Sequence, residues 1–405
     1  MRRNKQDGNI TSIKRESLII GQEKNFVSFR SKHAGTGKNT PIGIWWDLIH
    51  SDIDLIEIRQ RLRQAYESNL PELGAIIFTS TCQCNCQHCI YHTDYSKFNA
   101  CLSSDQWKRI VRNIYDNLGI KTFIHNGRSM DDTGVKVLKW MREEFPDVQI
   151  GLIDNGISLN SYLDELHDIQ PDWIDISIDG MEKEHDLQRN RTGFFKETFK
   201  TINRLLQEDI APKINILSCL TTINKDSVIN LIKFMNQNGF KNFFVSPVCT
   251  FKDYGPSEKL RVTGVDLTKF IRNLYSSLDK LKDTWIEFNI FDAEYMKYIK
   301  MFYPELWHSL YTKQKYLSYG MYLDDNELYV NYHPLSLNGI REFIINSNGD
   351  VILPQAVRKQ RIQDEDIIGS LLSENASETI NKLRRFKLGF YVNALTVEKS
   401  FIGGK

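Results

Sequence analysis

The stretch GAIIFTSTCQCNCQHC, from Gly74 to Cys89, decides how this chain is read. An apolar run of strand character is followed at once by Cys82, Cys84, Cys86 and Cys89. It begins a new rhythm just after Pro71, a residue that disfavours helix in the position before it. From there to about residue 285, short apolar strands alternate with amphipathic stretches, the signature of parallel β/α units. Six strands are predicted: AIIFTS, KTFIHN, VQIGLID, DWIDISID, KINILSCL and KNFFVSPV. The helical stretch FFKETFKTINRLLQ after the fourth is apolar at Phe195, Phe199, Ile202 and Leu206. Six such units build a partial barrel or an open doubly wound sheet, and either places ligands at the C-terminal ends of the strands. The cysteine loop stands at such an end.

The rest of the composition narrows the class. A chain of 405 residues can bury one large core or two moderate ones. Its 52 Lys and Arg nearly cancel its 51 Asp and Glu, so no nucleic acid partner is implied. No apolar run approaches membrane-spanning length, and the basic start MRRNKQDGNITSIKRES has no apolar stretch behind it. A cytoplasmic protein without a membrane partner is expected. Seven cysteines, four of them crowded into residues 82–89, differ from the spread framework of a disulfide-stapled secreted domain.

Three chemistries compete for the loop. Four thiolates can bind zinc, although such sites usually pair two separated Cys-x2-Cys hooks and only one is present. Cys86-Gln87-His88-Cys89 can be a redox dithiol at a helix N-terminus. Cys82, Cys86 and Cys89, spaced Cys-x3-Cys-x2-Cys, can hold three corners of a cubane iron-sulfur cluster and leave the fourth iron open.

That spacing after a first strand, in a β/α-repeat domain, resembles the radical S-adenosylmethionine (radical SAM) superfamily, with His88 where an aromatic residue is usual. The resemblance implies a 4Fe-4S cluster on Cys82, Cys86 and Cys89, with SAM chelating the open iron. It implies reductive cleavage of SAM to a 5′-deoxyadenosyl radical that takes hydrogen from substrate, fed by an external one-electron reductant. Cys84 has no role in the family pattern. His125-Asn126-Gly127-Arg128-Ser129 stands where the family has a Gly-Gly-Glu stretch that holds the SAM amino group, and Arg128 replaces the acid. Asp154-Asn155-Gly156 resembles a Thr-Asn-Gly stretch, and is also an ordinary turn. In WIDISIDG, Ile174, Ile176 and Ile178 alternate with Asp175, Ser177 and Asp179, a polar row that is costly in a buried sheet unless it lines a cavity or is fully bonded. The segment Ser177–Leu206 resembles the Ser-Leu-Asp-Gly, His-Asp, Arg, Gly-Ser-Phe pattern of the branch that modifies peptides, proteins and some sugars. By that resemblance Ser177 contacts SAM, Arg189 clamps its carboxylate, and Asp179 and His185 shape the loop between them.

The flanks extend the resemblance. FIINSNGDVILPQ, residues 343–355, and Ile368-Gly369-Ser370-Leu371 resemble a SPASM or twitch domain, but Gln355 stands at a cysteine position and no cysteine follows Cys249, so one cluster per chain is expected. IGIWWDLIHSDIDLIEIRQRLRQAYE resembles a leader-peptide recognition element, after two short strands expected within residues 17–30; a generic two-helix packing module is the other reading of it. The expected fold is α/β: a partial (β/α)6 barrel over 69–285, a small winged-helix-like module over 1–68 and an α+β cap over 286–405. The expected substrate is a ribosomally made peptide, undergoing epimerisation or another C–H modification; for epimerisation Cys249, near the mouth after the sixth strand, is the candidate hydrogen-atom donor, with a small apolar filler as its other reading. The alternatives are the same chemistry on a sugar or nucleoside, and a cluster- or zinc-binding protein without catalysis.

Overall fold

The structure is a computed structural model. It describes residues 73–89, 101–126, 129–250, 256–311, 318–332, 342–352, 364–373 and 375–383, with 11–12, 56–57, 60–61 and 64 in addition. Gly127, Arg128, Gln355 and the strands expected within 17–30 lie outside the described residues. Of the N-terminal module, Thr11–Ser12 form a short strand and residues 56, 57, 60, 61 and 64 are helical.

The six predicted strands are present: β1 (Leu73–Ile76), β2 (Thr122–Asn126), β3 (Gln149–Asp154), β4 (Trp173–Ser177), β5 (Ile214–Leu220) and β6 (Asn242–Pro247). Each pairs in parallel with the next, from Leu73↔Thr122 through Leu220↔Pro247. The sheet then continues past the boundary expected near 285, because WIEFNI forms β7 (Trp285–Ile290), parallel to β6, and NELYVNY forms β9 (Asn326–Tyr332), parallel to β7. Between them β8 (Ser318–Leu323) turns back antiparallel on β9, and Thr11–Ser12 pair on its outer edge. At the other end β10 (Glu342–Ile345) lies parallel to β1, and β11 (Asp350–Ile352) and β12 (Ile367–Ser370) follow antiparallel. β10 and β11 form a hairpin that turns at Asn348-Gly349-Asp350, with Gly349 at φ +86, where a side chain would be strained.

Helices cover one face of this sheet for a local reason. In α1 (Ser104–Leu118), Trp107, Ile110, Val111, Ile114 and Leu118 recur on one helical face and are all buried. Ser103 and Gln106 form a reciprocal capping box at its start, and Gly119 closes it in the left-handed conformation. The remaining helices of the β/α units are α2 (Asp132–Glu144), α3 (Leu163–Ile169), α4 (Glu182–Arg189), α5 (Phe194–Gln207), α6 (Val228–Gln237) and α7 (Gly264–Ser276). In α5 the inward face is corrected by one position: Leu205 is buried and Leu206 is 39% exposed. Positions three and four after Ile202 both fit a 3.6-residue period, and the sheet selects the nearer one. Among the described residues no helix is long and apolar enough to cross a membrane.

The large core lies between helices and sheet and includes Ile174, Ile176 and Ile178. On the opposite face a second, small cluster joins Leu73, Ile124 and Trp173, with Ile153 packed against it. The Trp173 indole occupies the space above Gly151, where an added Cβ would stand 2.1 Å from the ring. Only glycine admits the indole there, and the inner face is plugged near the N-terminal ends of the strands. The C-terminal ends face the cysteine loop.

Candidate active site

The cysteine loop is held by the residues between its cysteines. Gln83 Oε1 accepts from Ser129 Oγ at 2.5 Å, which ties the loop to the segment after β2. Gln87 donates from its backbone N–H to Gln188 O at 2.9 Å and from Nε2 to Leu187 O at 2.8 Å. Those carbonyls belong to the last turn of α4, where helix geometry leaves acceptors without intrahelical partners. The loop therefore caps α4 and is docked by it. His88 Nε2 lies 3.6 Å from Asp179 Oδ2. These anchors were not foreseen in the sequence, where Gln83 and Gln87 carry no motif; their only signal is amide side chains interleaved with thiols.

Among the four thiols, Cys86 is buried, Cys84 and Cys89 are half-buried and Cys82 is exposed. Cys84 is not the detached loop residue its lack of a family role suggests. Contact with the thiols of Cys82 and Cys86, and then burial, push its ionisation well above the usual thiol range. Cys86 is shifted the other way, first by the hydrogen bond from Cys84 and, against burial, by the Arg189 guanidinium. Among the described residues no three His, Cys, Asp or Glu side chains form a ready-made ligand set.

Behind the loop stands a buried polar hub at the end of β4. Arg189 Nε donates to Asp179 Oδ2 at 2.6 Å, and its Nη1 lies 3.8 Å from Cys86 Sγ. Asp179 is 1% exposed and Arg189 7%. Asp179 Oδ1 accepts the Cys219 N–H at 2.9 Å, and the Asp179 N–H donates to His185 Nδ1 at 3.0 Å. Asn224 Nδ2 donates to Asp179 O and to Cys219 O, and Gln188 Nε2 adds a bond to Cys219 O at 3.0 Å. Burial alone would push the Asp179 carboxyl up; the Arg189 charge, then His88 and His185, hold it at about 2. His185 is kept neutral, lowered to about 3 by burial and then by Arg189. The bond between Asp179 N–H and His185 Nδ1 thus ties the turn after β4 to α4.

The other sequence-selected residues converge on the same end of the sheet. Asn126 closes β2 and Ser177 closes β4, both half-buried. Asn155 is buried beyond β3, its Oδ1 accepting the Ile157 N–H at 2.9 Å and its carbonyl accepting from Thr198 Oγ1. Asp154 Oδ1 accepts the Gly156 N–H at 2.6 Å and Gly156 has φ +87, so the turn reading of this stretch holds locally. Asp154 also accepts from Ser158 Oγ at 2.9 Å, faces His125 Nε2 at 3.9 Å, and is pushed up to about 7 by burial. Cys219 lies on β5 and Cys249 just after β6, where the Val248 N–H bonds Leu220 O at 2.9 Å. Burial first, then the charges of Asp179 and Cys249, raise the Cys219 thiol well above its usual range.

The polar row on β4 is bonded rather than idle. Asp175 Oδ1 accepts from Asn215 Nδ2 at 2.6 Å across the β4–β5 register pair. Burial still pushes Asp175 up to about 7. A buried acid whose folded value lies above its ordinary 3.8 keeps a proton that the unfolded chain releases. Stability therefore falls as pH rises from about 4 to about 7. Asp175→Asn keeps the Asn215 contact without the charge. It is expected to gain on the order of 2–4 kcal/mol over the parent at pH 8, and nothing near pH 4, in denaturant titrations at the two pH values.

Comparison with known proteins agrees with this geometry. Residues 76–235 match the Radical SAM superfamily. A GTP 3',8-cyclase of Clostridium perfringens (strain 13 / Type A) is 25% identical over 167 residues, covering 40% of this chain and 51% of that protein. The sporulation killing factor maturation protein SkfB of Bacillus subtilis (strain 168) is 24% identical over 168 residues, covering 41% of this chain and 40% of that protein. The chain spans about half the length, or less, of the curated relatives it matches. Among solved structures, native anSMEcpe with bound AdoMet superposes with TM-score 0.55 at 16% identity, over 78% of this chain and 82% of that one. Streptococcus suis SuiB bound to precursor peptide SuiA superposes with TM-score 0.54 at 15% identity, over 80% and 70%. At such identities the likeness is one of fold.

The superfamily works with a 4Fe-4S cluster and SAM. The residues present fit that pair in donor chemistry and position: soft thiol donors sit on one anchored loop at the C-terminal mouth of a parallel sheet, with a buried cation against one sulfur.

Proposed function

We propose that this chain, which carries a radical SAM domain over residues 76–235, is an enzyme that modifies a C–H position in a ribosomally made peptide. The observation that carries the reading is the anchored Cys-x3-Cys-x2-Cys loop at the mouth of the sheet, backed by the Asp179–Arg189 hub. In it Cys82, Cys86 and Cys89 hold the cluster. Asn126, Asn155 and Ser177, at the C-terminal ends of their strands, take SAM together with Gly127 and Arg128. When bound, the pair supplies a 5′-deoxyadenosyl radical that removes a hydrogen atom from substrate.

The chain's own residues dock the loop, keep the buried hub satisfied and present Cys249 at the mouth. For epimerisation, the Cys249 S–H bond breaks as a C–H bond forms on the opposite face of the substrate carbon. The thiyl left behind regains its hydrogen from an electron and a proton, which an external one-electron reductant and solvent supply. A peptide substrate is supported by the names of two similar proteins, a sporulation killing factor maturation protein and SuiB bound to precursor peptide SuiA. A sugar or nucleoside is the second reading, favoured by the GTP 3',8-cyclase match.

Deletion of residues 1–68 separates the two. It is expected to abolish turnover of a precursor peptide encoded beside this gene, followed by mass spectrometry, while the truncated protein keeps its iron and sulfide. Turnover of a nucleoside or sugar that survives the deletion would favour the second reading. A Cys249→Ala protein that still inverts the centre would remove Cys249 from the mechanism. Zinc without iron in anaerobic preparations would refute the enzyme reading as a whole.

A further inference from the structure

We propose that Arg189 and Asp179 set the reduction potential of the cluster: the guanidinium donates to Cys86 Sγ and raises the potential, and the buried carboxylate trims that rise. This rests on the reading that Cys82, Cys86 and Cys89 hold a 4Fe-4S cluster, and it gives Arg189 a role different from clamping the SAM carboxylate.

The geometry is that of a residue already engaged. Nε is 2.6 Å from Asp179 Oδ2, and Nη1 is 3.8 Å from Cys86 Sγ, a long N–H to sulfur contact. The guanidinium is almost wholly enclosed and leans on the Phe194 ring, whose centroid lies 6.0 Å from its central carbon. A carboxylate clamp needs a free donor edge facing a ligand. Here two of the three nitrogens point at a protein carboxylate and a loop sulfur.

Both partners are fixed from outside the cysteine loop. Arg189 is the last residue of α4, the helix whose carbonyls receive Gln87, so the contact that docks the loop also presses Cys86 toward the guanidinium. Asp179 is pinned on its other oxygen by the Cys219 N–H and beside His88, and cannot turn away. An N–H donor and a cation beside a ligating sulfur favour the more negative, reduced cluster and raise its potential; a nearby anion lowers it. Hydrogen bonds to sulfur and net charge are among the means a protein has for this adjustment.

The test uses the full chain with anaerobically reconstituted cluster, a redox titration followed by electron paramagnetic resonance, and SAM binding measured separately. Arg189→Gln is expected to move the midpoint to a more negative value, and Asp179→Asn to a more positive one. A merely structural role would degrade cluster content in both and give no opposed shifts. Because Arg189→Gln leaves a carboxylate buried without its partner, the double variant Arg189→Gln/Asp179→Asn supplies the same comparison without an unpaired charge. Its midpoint is expected below that of Asp179→Asn, and equal midpoints would overturn the proposal.

SAM affinity is the second arm. Removing a true carboxylate clamp would weaken SAM binding roughly 10- to 100-fold. That loss with an unmoved midpoint would return Arg189 to SAM and overturn the proposal. If the unsubstituted chain assembles no cluster, the reading of the cysteine loop itself falls, an outcome distinct from a cluster whose potential ignores Arg189.

Discussion

Replacing Cys86 with alanine is expected to abolish iron binding, and Cys82→Ala and Cys89→Ala the same, whereas Cys84→Ser keeps the iron. The measurement is iron and sulfide per chain after anaerobic reconstitution, with the visible spectrum as a control. Three thiolates are the minimum that holds a cubane while leaving one iron for SAM, so losing one leaves too few protein ligands. Cys84 differs because its thiol lies between those of Cys82 and Cys86 and shares its hydrogen with them. Serine can donate the same hydrogen bond. A Cys84→Ser protein without iron would show that the fourth thiol is a ligand, and would move the site toward the closed, all-thiolate kind.

Arg189→Gln is expected to lower the stability of the protein by about 3–5 kcal/mol, the usual consequence of leaving one member of a buried ion pair alone. Asp179 would then be a carboxylate 1% exposed without its principal cation. The double variant Arg189→Gln/Asp179→Asn is expected to recover most of that loss, because an amide can still accept the Cys219 N–H. Urea titration of the three proteins checks this. The pair also has a pH signature. Asp179 is held at about 2, below its ordinary 3.8, so its contribution is complete above about pH 4 and fades as pH falls through 2. Between those values the parent should lose stability faster than the double variant.

The residues of those two expectations could be named from the sequence, but their contacts with one another could not. The Cys-x3-Cys-x2-Cys spacing could be read because all three residues belong to one loop, and the alternation of Ile174, Ile176 and Ile178 with polar residues because a strand repeats every two positions. The partners of that polar row could not be. Asn215 meets Asp175, and Cys219 meets Asp179, only once β4 and β5 are side by side. Likewise Gln87 is an unremarkable loop residue until the end of α4 presents it with carbonyls. The strands β7 and β9 escaped for a different reason. Helices α8 (Ala293–Phe302) and α9 (Pro304–Tyr311) and the returning β8 lie between them, so the regular β/α rhythm breaks although the sheet does not. In α5 Phe195 and Ile202 are buried as read while Leu205 takes the inward place read for Leu206, which shows that helical spacing defines a stripe and packing chooses its centre.

The parallel pairing of β10 with β1 carries a consequence for how the chain comes to be. Glu342 lies beside Leu73 and Ile345 beside Ile76, so the strand that leads into the cysteine loop gets one of its two neighbours from residues made long after it. Until then one edge of β1 presents open backbone donors and acceptors, and contacts of such long range are slow to form. A ribosome-bound intermediate would hold four thiols at the end of an unfinished sheet, exposed to oxidation and to strand pairing with other chains. Nascent chains stalled before residue 342 should therefore be the aggregation-prone species. Cluster insertion is best timed after the C-terminal strands have closed that edge.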